Sequence, residues 1–273
     1  MNPIFHAIAE HGLEPHAPFD LAPDGKLMRF RVRGDKPGSK NGWVVHHTHP
    51  VHSGAFGSWK TGEAHTWREA TTTPLTSAQQ AEIQRQLAEV RRLRQAELQE
   101  VQAAARAKAE KLWGRARPAT NDHPYLLRKR VNAYGLRRLN HMLLVPARDV
   151  HGTLQTIQFI SADGSKRFLT GGRISGCYCA IGKPVDSLMV AEGYATGATL
   201  YAATGRAVAV CFSAGNMLAV ARELRLKFPA LRMIMCADND LTPGNPGVTA
   251  ATKAAQAVGG VVAVPNFAGV HHG

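Results

Sequence analysis

The sequence has few cysteines, no long apolar run and fewer acidic than basic residues, and each shortage excludes a class of protein. Four cysteines in 273 residues do not make a disulfide scaffold. Apolar runs such as Val208–Phe212 fall far short of the roughly 20 residues that a membrane span needs. The first residues have neither the basic nor the apolar region of a signal peptide. We therefore expect a cytoplasmic protein without membrane contact.

The cysteines and histidines do not have the spacing of a zinc site. Cys177 and Cys179 are separated by one residue, whereas metal knuckles usually have two to four between their ligands. Cys211 and Cys236 lie in apolar runs and are interpreted as core residues. Five histidines lie close together in the N-terminal part of the chain, and no nearby cysteine or carboxylate completes a tetrahedral zinc site. We therefore favour exposed strand or turn positions for them. They are His46, His47, His49, His52 and His65.

The acidic residues are too few to balance the basic ones, and the imbalance lies in one part of the chain. The formal net charge is +13. Residues 1–185 hold 27 Lys and Arg against 15 Asp and Glu, whereas residues 186–273 hold six against five. A basic N-terminal part next to a nearly neutral C-terminal part indicates a polyanion-binding region joined to a different domain. The alternative is that the surface charge serves only solubility.

Residues 1–72 are predicted to form a small β-rich unit. Short strand-like runs at Leu27–Val32, Gly42–His47 and Gly54–Trp59 are separated by clusters of Gly, Pro, Ser and Lys. Basic residues alternate there with aromatic ones, a pattern that suits stacking of single-stranded nucleic acid but also the core of a small sheet, which we favour. These aromatic residues are Phe30, Trp43, Phe56, Trp59 and Trp67.

Residues 73–117 are predicted to form a long connecting helix, and residues 118–185 a basic subdomain. The helix extends from about Ala78 to Trp113 and is rich in Ala, Gln, Glu and Arg, which favour helix formation. Its apolar positions make one narrow stripe on an otherwise charged surface, so we expect an exposed strut. In the basic subdomain a short helix opens at Pro124, and strands follow. Its basic cluster contains Arg128, Lys129, Arg130, Arg137 and Arg138.

Residues 186–273 alternate between apolar strands and helices. Four apolar runs, beginning at SLMVAE and ending at VVAVPNF, are separated by three helical segments. Continuous apolar strands that alternate with helices predict a parallel sheet with helices on both faces. The predicted fold class is therefore α/β in this domain and α+β overall, with the small β-rich unit, the long helix and the basic mixed subdomain in front of it.

Acidic residues follow two of these predicted strands. Glu192 ends the first strand, and Asp238 and Asp240 end the third. Strand ends of this kind meet at one edge of a parallel sheet, where ligands bind. Three carboxylates at one edge repel each other, and a hard divalent cation such as Mg²⁺ relieves that repulsion. Carboxylates that cap the following helices are the structural alternative for either motif alone.

The motifs in their order resemble those of a known family. The run VAEGYATGATLYAATGRAVAVCFSAGNMLAVA, followed by MIMCADND and NPGVTAATKAA, resembles a Toprim domain, the catalytic fold of bacterial-type primases, topoisomerases and some nucleases. The upstream segments HPYLLRKRV and LLVPARDVHGTLQTIQFISADGSKRFLTGG are similar to the part that precedes Toprim in bacterial-type DNA primases, especially those of phages, plasmids and integrated elements. The resemblance covers residues 121–265, and the front unit also resembles the opening of those proteins.

The resemblance implies site residues, cofactors and partners. Glu192 matches the Toprim glutamate, which holds metal or acts as an acid or base, and Asp238 and Asp240 match the metal-binding DxD pair. Nucleic acid or nucleotide would face a group of basic residues: Arg148, Lys166, Arg167, Arg128, Lys129 and Arg130. Close backbone approach to phosphate or to the sheet is implied at Gly193, Gly197 and Gly247. The implied cofactor is Mg²⁺ or Mn²⁺, and the implied partners are a single-stranded DNA template, nucleoside triphosphates and a replicative helicase.

The sequence departs from the family pattern at several points. The primase motif EGYMD ends in an acid, where this chain has Thr196. No Asp or Glu follows Asp240, so we expect either a minimal or truncated version of the protein or an incomplete metal site. Primases often have a zinc ribbon at their N-terminal end. The corresponding unit of this chain lacks the metal-binding cysteines and must fold without zinc. No GxxxxGK[ST] motif occurs, so this chain by itself is not a helicase.

Three functions remain open from the sequence. The first is a primase-like nucleotidyltransferase that makes short primers on single-stranded DNA. The second is a Toprim nuclease that uses the same acids to hydrolyse a phosphodiester, and the primase-like upstream segment argues against it. The third is a non-catalytic nucleic-acid-binding protein of a mobile element, which the absence of acids after Asp240 favours.

Overall fold

A computed structural model describes residues 3–22, 25–71, 74–238 and 245–265. Internal contacts divide the chain into two units, Met1–Glu100 and Val101–Gly273, and each is described by itself. Of the residues so described, none lies in a helix that is both long enough and apolar enough to cross a membrane.

The first unit is built on a four-stranded antiparallel sheet. Helix α1 (Pro3–Glu10) precedes it, and the strands are β1 (Met28–Phe30), β2 (Gly42–His47), β3 (Ser53–Ser58) and β4 (Ala64–Arg68), adjacent in chain order. The three predicted strand runs are confirmed, whereas α1 and β4 were not predicted. Apolar side chains of α1 pack with those of the sheet in one core.

Aromatic residues contribute to the buried interior of the first unit. Phe30, Trp43 and Phe56 are buried, which confirms the core interpretation for these three rings. The predicted exposed strand or turn position is wrong for His46, which is only 4% exposed. Its Nε2 atom lies 3.2 Å from Nδ1 of His52, and the two rings stack. Packing against another ring explains why a polar ring is tolerated inside this sheet.

The predicted long helix is confirmed as α2 (Ser77–Arg115). Its apolar stripe is buried at intervals, at Ile83 and Val90 in the first unit and at Ala105 and Ala109 in the second. The remaining surface is charged, as expected for a helix that is buried along one narrow face only.

The second unit begins with a five-stranded antiparallel sheet. Its strands, adjacent in chain order, are β5 (Arg117–Pro118), β6 (Arg137–Leu139), β7 (Met142–Arg148), β8 (Leu154–Ile160) and β9 (Lys166–Phe168). The short helix α3 (Pro124–Lys129) lies between β5 and β6 and begins at Pro124 as predicted. Every residue of β8 is buried, although β7 is the middle strand of this sheet.

A second five-stranded sheet follows, in the spatial order β10-β12-β11-β13-β14. The strands β11 (Ser187–Ala191), β12 (Ala207–Val210), β13 (Arg232–Cys236) and β14 (Val261–Ala263) are parallel, and β10 (Cys179–Ile181) is an antiparallel edge. The helices between the parallel strands are α4 (Tyr194–Thr204), α5 (Ala214–Lys227) and α6 (Pro246–Val258). The predicted α/β class is confirmed, and β10 extends the sheet beyond the predicted segment.

Alternate residues of the parallel strands face two different cores. Leu188 and Val190 of β11 pack in the cluster that includes α5 and α6. Met189 and Ala191 pack in the cluster that includes α4 and the strands β7 and β8. Because successive side chains of a strand point to opposite faces, burial of both sets explains why the sequence of this strand is continuously apolar.

Candidate active site

Two of the predicted acids follow neighbouring parallel strands. Strands β11 and β13 pair in parallel with Ala191 opposite Cys236. Glu192 is the first residue after β11, and Asp238 is the second residue after β13. The two side chains therefore leave the same carboxyl edge of the sheet, as the sequence predicts. Both residues are partly exposed.

The buried thiol of Cys211 lies within the electrostatic influence of both carboxylates. Cys211 follows β12, and its N–H donates to the Ala191 carbonyl at 2.8 Å. Burial first, and then the negative charges of Glu192 and Asp238, raise the pKa of the Cys211 thiol to about 12, while a hydrogen bond with Ser213 lowers it. Two carboxylates that act on one thiol concentrate negative charge at this edge, which favours a cation there.

Helix α6 begins directly against the backbone of Asp238. Asn245 caps the helix by accepting from the Val248 N–H at 3.3 Å, and Pro246 occupies its first position. A Cβ atom on Gly247 would lie 2.3 Å from the Asp238 carbonyl oxygen. Only glycine permits this approach, so Gly247 fixes the distance between the start of α6 and the acid-bearing segment.

The other two glycines predicted at the site have different surroundings. Gly197 lies in α4, and a Cβ there would be 2.6 Å from Cγ2 of Val210, so the glycine lets α4 pack against β12. Gly193 is the N-cap of α4 and has room for a Cβ, whose nearest neighbour would be the Thr196 hydroxyl at 3.9 Å. Gly197 therefore approaches the sheet, and Gly193 carries no steric requirement.

The third acid, Asp240, lies outside the described residues, as do the residues between it and Asn245. Residues 3–22, 25–71, 74–238 and 245–265 contain no group of three or more His, Cys, Asp or Glu side chains that could hold a metal ion. The described part of the site thus provides two carboxylates. Mg²⁺ commonly takes one or two carboxylates together with water and substrate phosphates, and this donor set fits that pattern.

Arg148 lies where the two sheets of the second unit meet. Its backbone forms a reciprocal pair of hydrogen bonds with Tyr178, at 2.9 and 2.8 Å. Its guanidinium donates to the Gly152 carbonyl at 2.9 Å and lies 5.6 Å from the Trp113 ring centre. Arg137 lies over the same ring at 4.8 Å, so two cations share one indole.

Lys166 and Arg167 point to opposite faces of the edge strand β9. Arg167 lies over the Phe159 ring at 5.3 Å, on the side that packs with α2. Lys166 shares the other face with Phe168, whose ring contacts Phe212 edge-on at 5.3 Å. Phe212 follows β12 at the carboxyl edge of the parallel sheet. This contact brings the Lys166 face, rather than the Arg167 face, towards the edge that carries the acids.

The remaining predicted cations lie at the end of α3. Arg128, Lys129 and Arg130 are all exposed. Arg128 donates to the Ala162 carbonyl at 3.0 Å and so lies over the turn between β8 and β9. Arg130 caps the helix in a left-handed conformation, with φ of 53°. The cluster is therefore a fixed basic surface next to the turn that precedes Lys166.

Two buried polar residues position the site and were not predicted. Asn216, at the start of α5, accepts from the Gly176 N–H at 2.9 Å and donates to the carbonyls of Ile174, Cys177 and Cys211. It thus joins the segment before β10 to the end of β12. The only sequence signal is an asparagine within the otherwise apolar run SAGNMLAVA.

Tyr194 joins the first turn of α4 to the basic subdomain. Its hydroxyl donates to the carbonyls of Asn132 and Tyr134, at 2.9 and 3.2 Å. Burial raises the pKa of its phenol, so the hydroxyl remains a donor. Tyr194 occupies the tyrosine position of the EGYAT motif, and the structure gives that position a connecting role next to Glu192.

Comparison with known proteins supports the resemblance found in the sequence. Residues 187–268 match the family model of the Toprim domain. Two Escherichia coli proteins named DNA primase TraC are 35% and 34% identical, over 261 and 258 residues. Each alignment covers 90% of this chain but only 24% and 18% of the relative, so the chain spans about a quarter or less of their length. The resemblance to Toprim-domain DNA primases is confirmed.

Two solved structures are similar in part. The primase fragment of the bacteriophage T7 primase-helicase is 15% identical with a TM-score of 0.42, covering 56% of this chain and 66% of that chain. A DNA primase domain from Pseudomonas aeruginosa is 17% identical with a TM-score of 0.35, covering 48% and 46%.

Proposed function

We propose that this chain, which carries a Toprim domain at residues 187–268, is a DNA primase-like nucleotidyltransferase. It synthesises short primers on single-stranded DNA by divalent-metal-dependent phosphoryl transfer. The observation that carries the proposal is the pair of carboxylates, Glu192 and Asp238, that leave one edge of the parallel sheet after adjacent strands. Relatives named DNA primase match nine tenths of the chain around that pair, which supports the same reaction.

The acids are proposed as metal ligands. Glu192 and Asp238 would hold Mg²⁺ or Mn²⁺, with Asp240 as a third ligand. Such an ion, when bound, neutralises the charge on the reacting phosphate oxygens. Burial is the main reason why the pKa of the Cys211 thiol is raised, but the charges of both carboxylates add to it, which supports their placement near each other. Gly247 supports the site by keeping α6 against the Asp238 backbone.

The basic residues are proposed to bind the polyanionic reactants. Lys166, on the face of β9 nearest the acids, would neutralise the triphosphate of the incoming nucleotide. Arg148 would contribute from the junction of the two sheets. The α3 cluster and Arg167 would contact the template strand, whose phosphates attract cations irrespective of sequence. The α3 cluster consists of Arg128, Lys129 and Arg130.

The proposed reaction is a displacement at the α-phosphate of a nucleoside triphosphate. The 3′-hydroxyl of the growing primer attacks that phosphorus, a new phosphodiester bond forms, and the bond to pyrophosphate breaks. The proton of the hydroxyl passes to water, and the displaced pyrophosphate leaves with the electrons of the broken bond. In this chain the proposed task of the cations is to orient the triphosphate and offset its charge. Single-stranded DNA and a replicative helicase are the proposed partners.

Primer synthesis by wild type and Asp238→Asn tests the proposal. Asparagine keeps the shape of the side chain and removes its charge, so the fold should persist while product formation falls on the order of 100-fold or more. The assay uses single-stranded DNA, labelled nucleotides, and Mg²⁺ or Mn²⁺. Arg222→Gln is the matched control, because it removes an exposed charge from α5 in the same domain and should retain full activity.

Three outcomes contradict the proposal. If Asp238→Asn formed product at the wild-type rate, Asp238 would not be part of the catalytic site. Metal-dependent cleavage of DNA by wild type without primer synthesis would instead identify a Toprim nuclease. Binding of DNA without either reaction would favour the non-catalytic accessory protein.

A further inference from the structure

A basic pocket lies at the end of α2, away from the residues proposed for catalysis. It has a volume of about 480 Å³, and three of its six lining residues are arginines. The lining consists of Arg115, Arg117, Pro118, Arg138, Leu139 and Asn140, and we call it the arginine pocket. None of these residues was predicted as a site residue, although Arg138 was included in the basic cluster of its subdomain.

Two of the arginines are direct cross-strand neighbours. Arg117 of β5 is paired with Arg138 of β6 in an antiparallel register, so their side chains leave the same face of the sheet. Like charges directly opposite each other destabilise a sheet. An arrangement that keeps two guanidinium groups together, with a third from Arg115 in the same pocket, is stabilised when an anion binds between them.

The protein itself neutralises only part of this charge. Arg138 lies 3.5 Å from an Asp122 carboxylate oxygen and donates to the Asn140 carbonyl at 3.0 Å. Asp122 is 68% exposed at its side chain, so this ion pair is weak. Arg115 and Arg117 have no ion pair or guanidinium hydrogen bond with the described part of the chain. The guanidinium groups of Arg115 and Arg117 can therefore donate all of their hydrogen bonds to a ligand in the pocket.

The positive surface continues from the pocket along α2. Lys108, Lys111 and Arg115 are all exposed and are spaced three and four residues apart, so they lie on one face of the helix. This row of cations leads along the helix to the pocket. A row of charges fits an extended polyanion better than a single compact ion.

We propose that the arginine pocket binds phosphates of a nucleic-acid strand and holds that strand at a second place, distinct from the catalytic edge. The pocket lies at β5, whereas Lys166 and Arg167 lie on β9, four strands away in the same sheet. That separation is about 19 Å at the usual spacing of strands. The pocket lining contains no aromatic side chain on which a base could stack, so the contact is with phosphate and is independent of sequence.

The salt dependence of DNA binding tests this site. Each phosphate contact to a single strand contributes about 0.7 to the slope of log K against log salt concentration. The double variant Arg115→Gln/Arg117→Gln should therefore lower the slope by about 1.4 and weaken binding roughly 25-fold near 0.1 M salt. Both side chains are exposed, so the fold should be unchanged, which circular dichroism and thermal unfolding verify.

A charge-matched control separates the pocket from net charge. Arg222→Gln/Lys253→Gln removes two exposed cations from α5 and α6 and should leave the slope at the wild-type value. Equal slopes for both double variants would overturn the proposal. A loss of ATP binding by Arg115→Gln/Arg117→Gln, with unchanged binding of a single-stranded oligonucleotide, would overturn it too, because the pocket would then hold a nucleotide.

The proposal does not depend on primase activity. Asp238→Asn should bind the oligonucleotide with the wild-type salt slope. If wild type made no primers while the pocket variant still lost slope, the strand-binding site would remain and only the proposed catalysis would fail.

Discussion

At the scale of single residues, Cys211 connects the site to a measurable property of the whole protein. Its thiol pKa is raised to about 12 by burial first and then by the two carboxylates, from the ordinary value of 9.0. The thiol ionises more readily in the unfolded chain, so its protonated form stabilises the fold below pH 9. That contribution is lost as the pH rises from about 9 towards 12.

We therefore predict that Cys211→Ala reduces the alkaline loss of stability. The free energy of unfolding of wild type should fall with pH above 9, and the variant should lose about 1.4 kcal/mol less per pH unit, which corresponds to one proton. Urea unfolding under reducing conditions between pH 8 and 11 measures both slopes. Identical slopes would mean that the Cys211 thiol is not held protonated in the folded state.

The sequence identifies acids at strand ends better than it identifies buried polar connectors. Glu192 and Asp238 follow continuously apolar strands, so their place at the sheet edge could be predicted from local pattern alone. Asn216 and Tyr194 act through carbonyl groups about 40 and 60 residues away in the chain. No local pattern shows such partners, because they become neighbours only after the two sheets have packed.

At the scale of secondary-structure elements, the start of α6 determines where Asp238 lies. Gly247 is the second residue of α6, and a Cβ there would lie 2.3 Å from the Asp238 carbonyl oxygen. Gly247→Ala must therefore displace either the helix or the acid-bearing segment. We predict a loss of primer synthesis of at least about 10-fold, together with about 1–3 kcal/mol of lost stability from overpacking.

Gly215→Ala is the matched control for this prediction. Gly215 is the second residue of α5, and a Cβ there would have nothing within 4 Å. Its activity and stability should equal those of wild type or rise slightly, since alanine favours helix. Primer synthesis and urea unfolding of both variants test the pair, and equal behaviour would contradict the close approach of α6 to Asp238.

The sequence missed β10 because its pairing is not local. Strand β10 is only three residues long and joins the parallel sheet as an antiparallel edge. Its segment has no run long enough to predict a strand. Likewise, the contact of Phe168 with Phe212, which orients Lys166 towards the acids, joins residues 44 positions apart. The alternation of β11 to β14 with helices, in contrast, is a local pattern, and it was predicted correctly.

At the scale of the whole molecule, the positive charge and the proposed metal-binding acids lie in different parts of the chain, an arrangement that suits a protein that acts on a polyanion. Residues 1–185 carry nearly all of the net positive charge, and the two proposed acids lie in the nearly neutral residues 186–273. In the second unit the basic residues occupy both edges of the antiparallel sheet, at β5 and β9. With this distribution, the basic residues can hold a nucleic-acid strand while the acids bind a metal ion.

The most direct test of the central claim is a double-variant comparison at the carboxyl edge. Glu192→Gln, Asp238→Asn and the double variant are compared in primer synthesis with Mg²⁺ and with Mn²⁺. If both carboxylates hold the same metal, either single change should cost on the order of 100-fold, and the double variant should be hardly worse than the singles. Losses that multiply in the double variant, or a single variant with wild-type activity, would contradict a shared metal site.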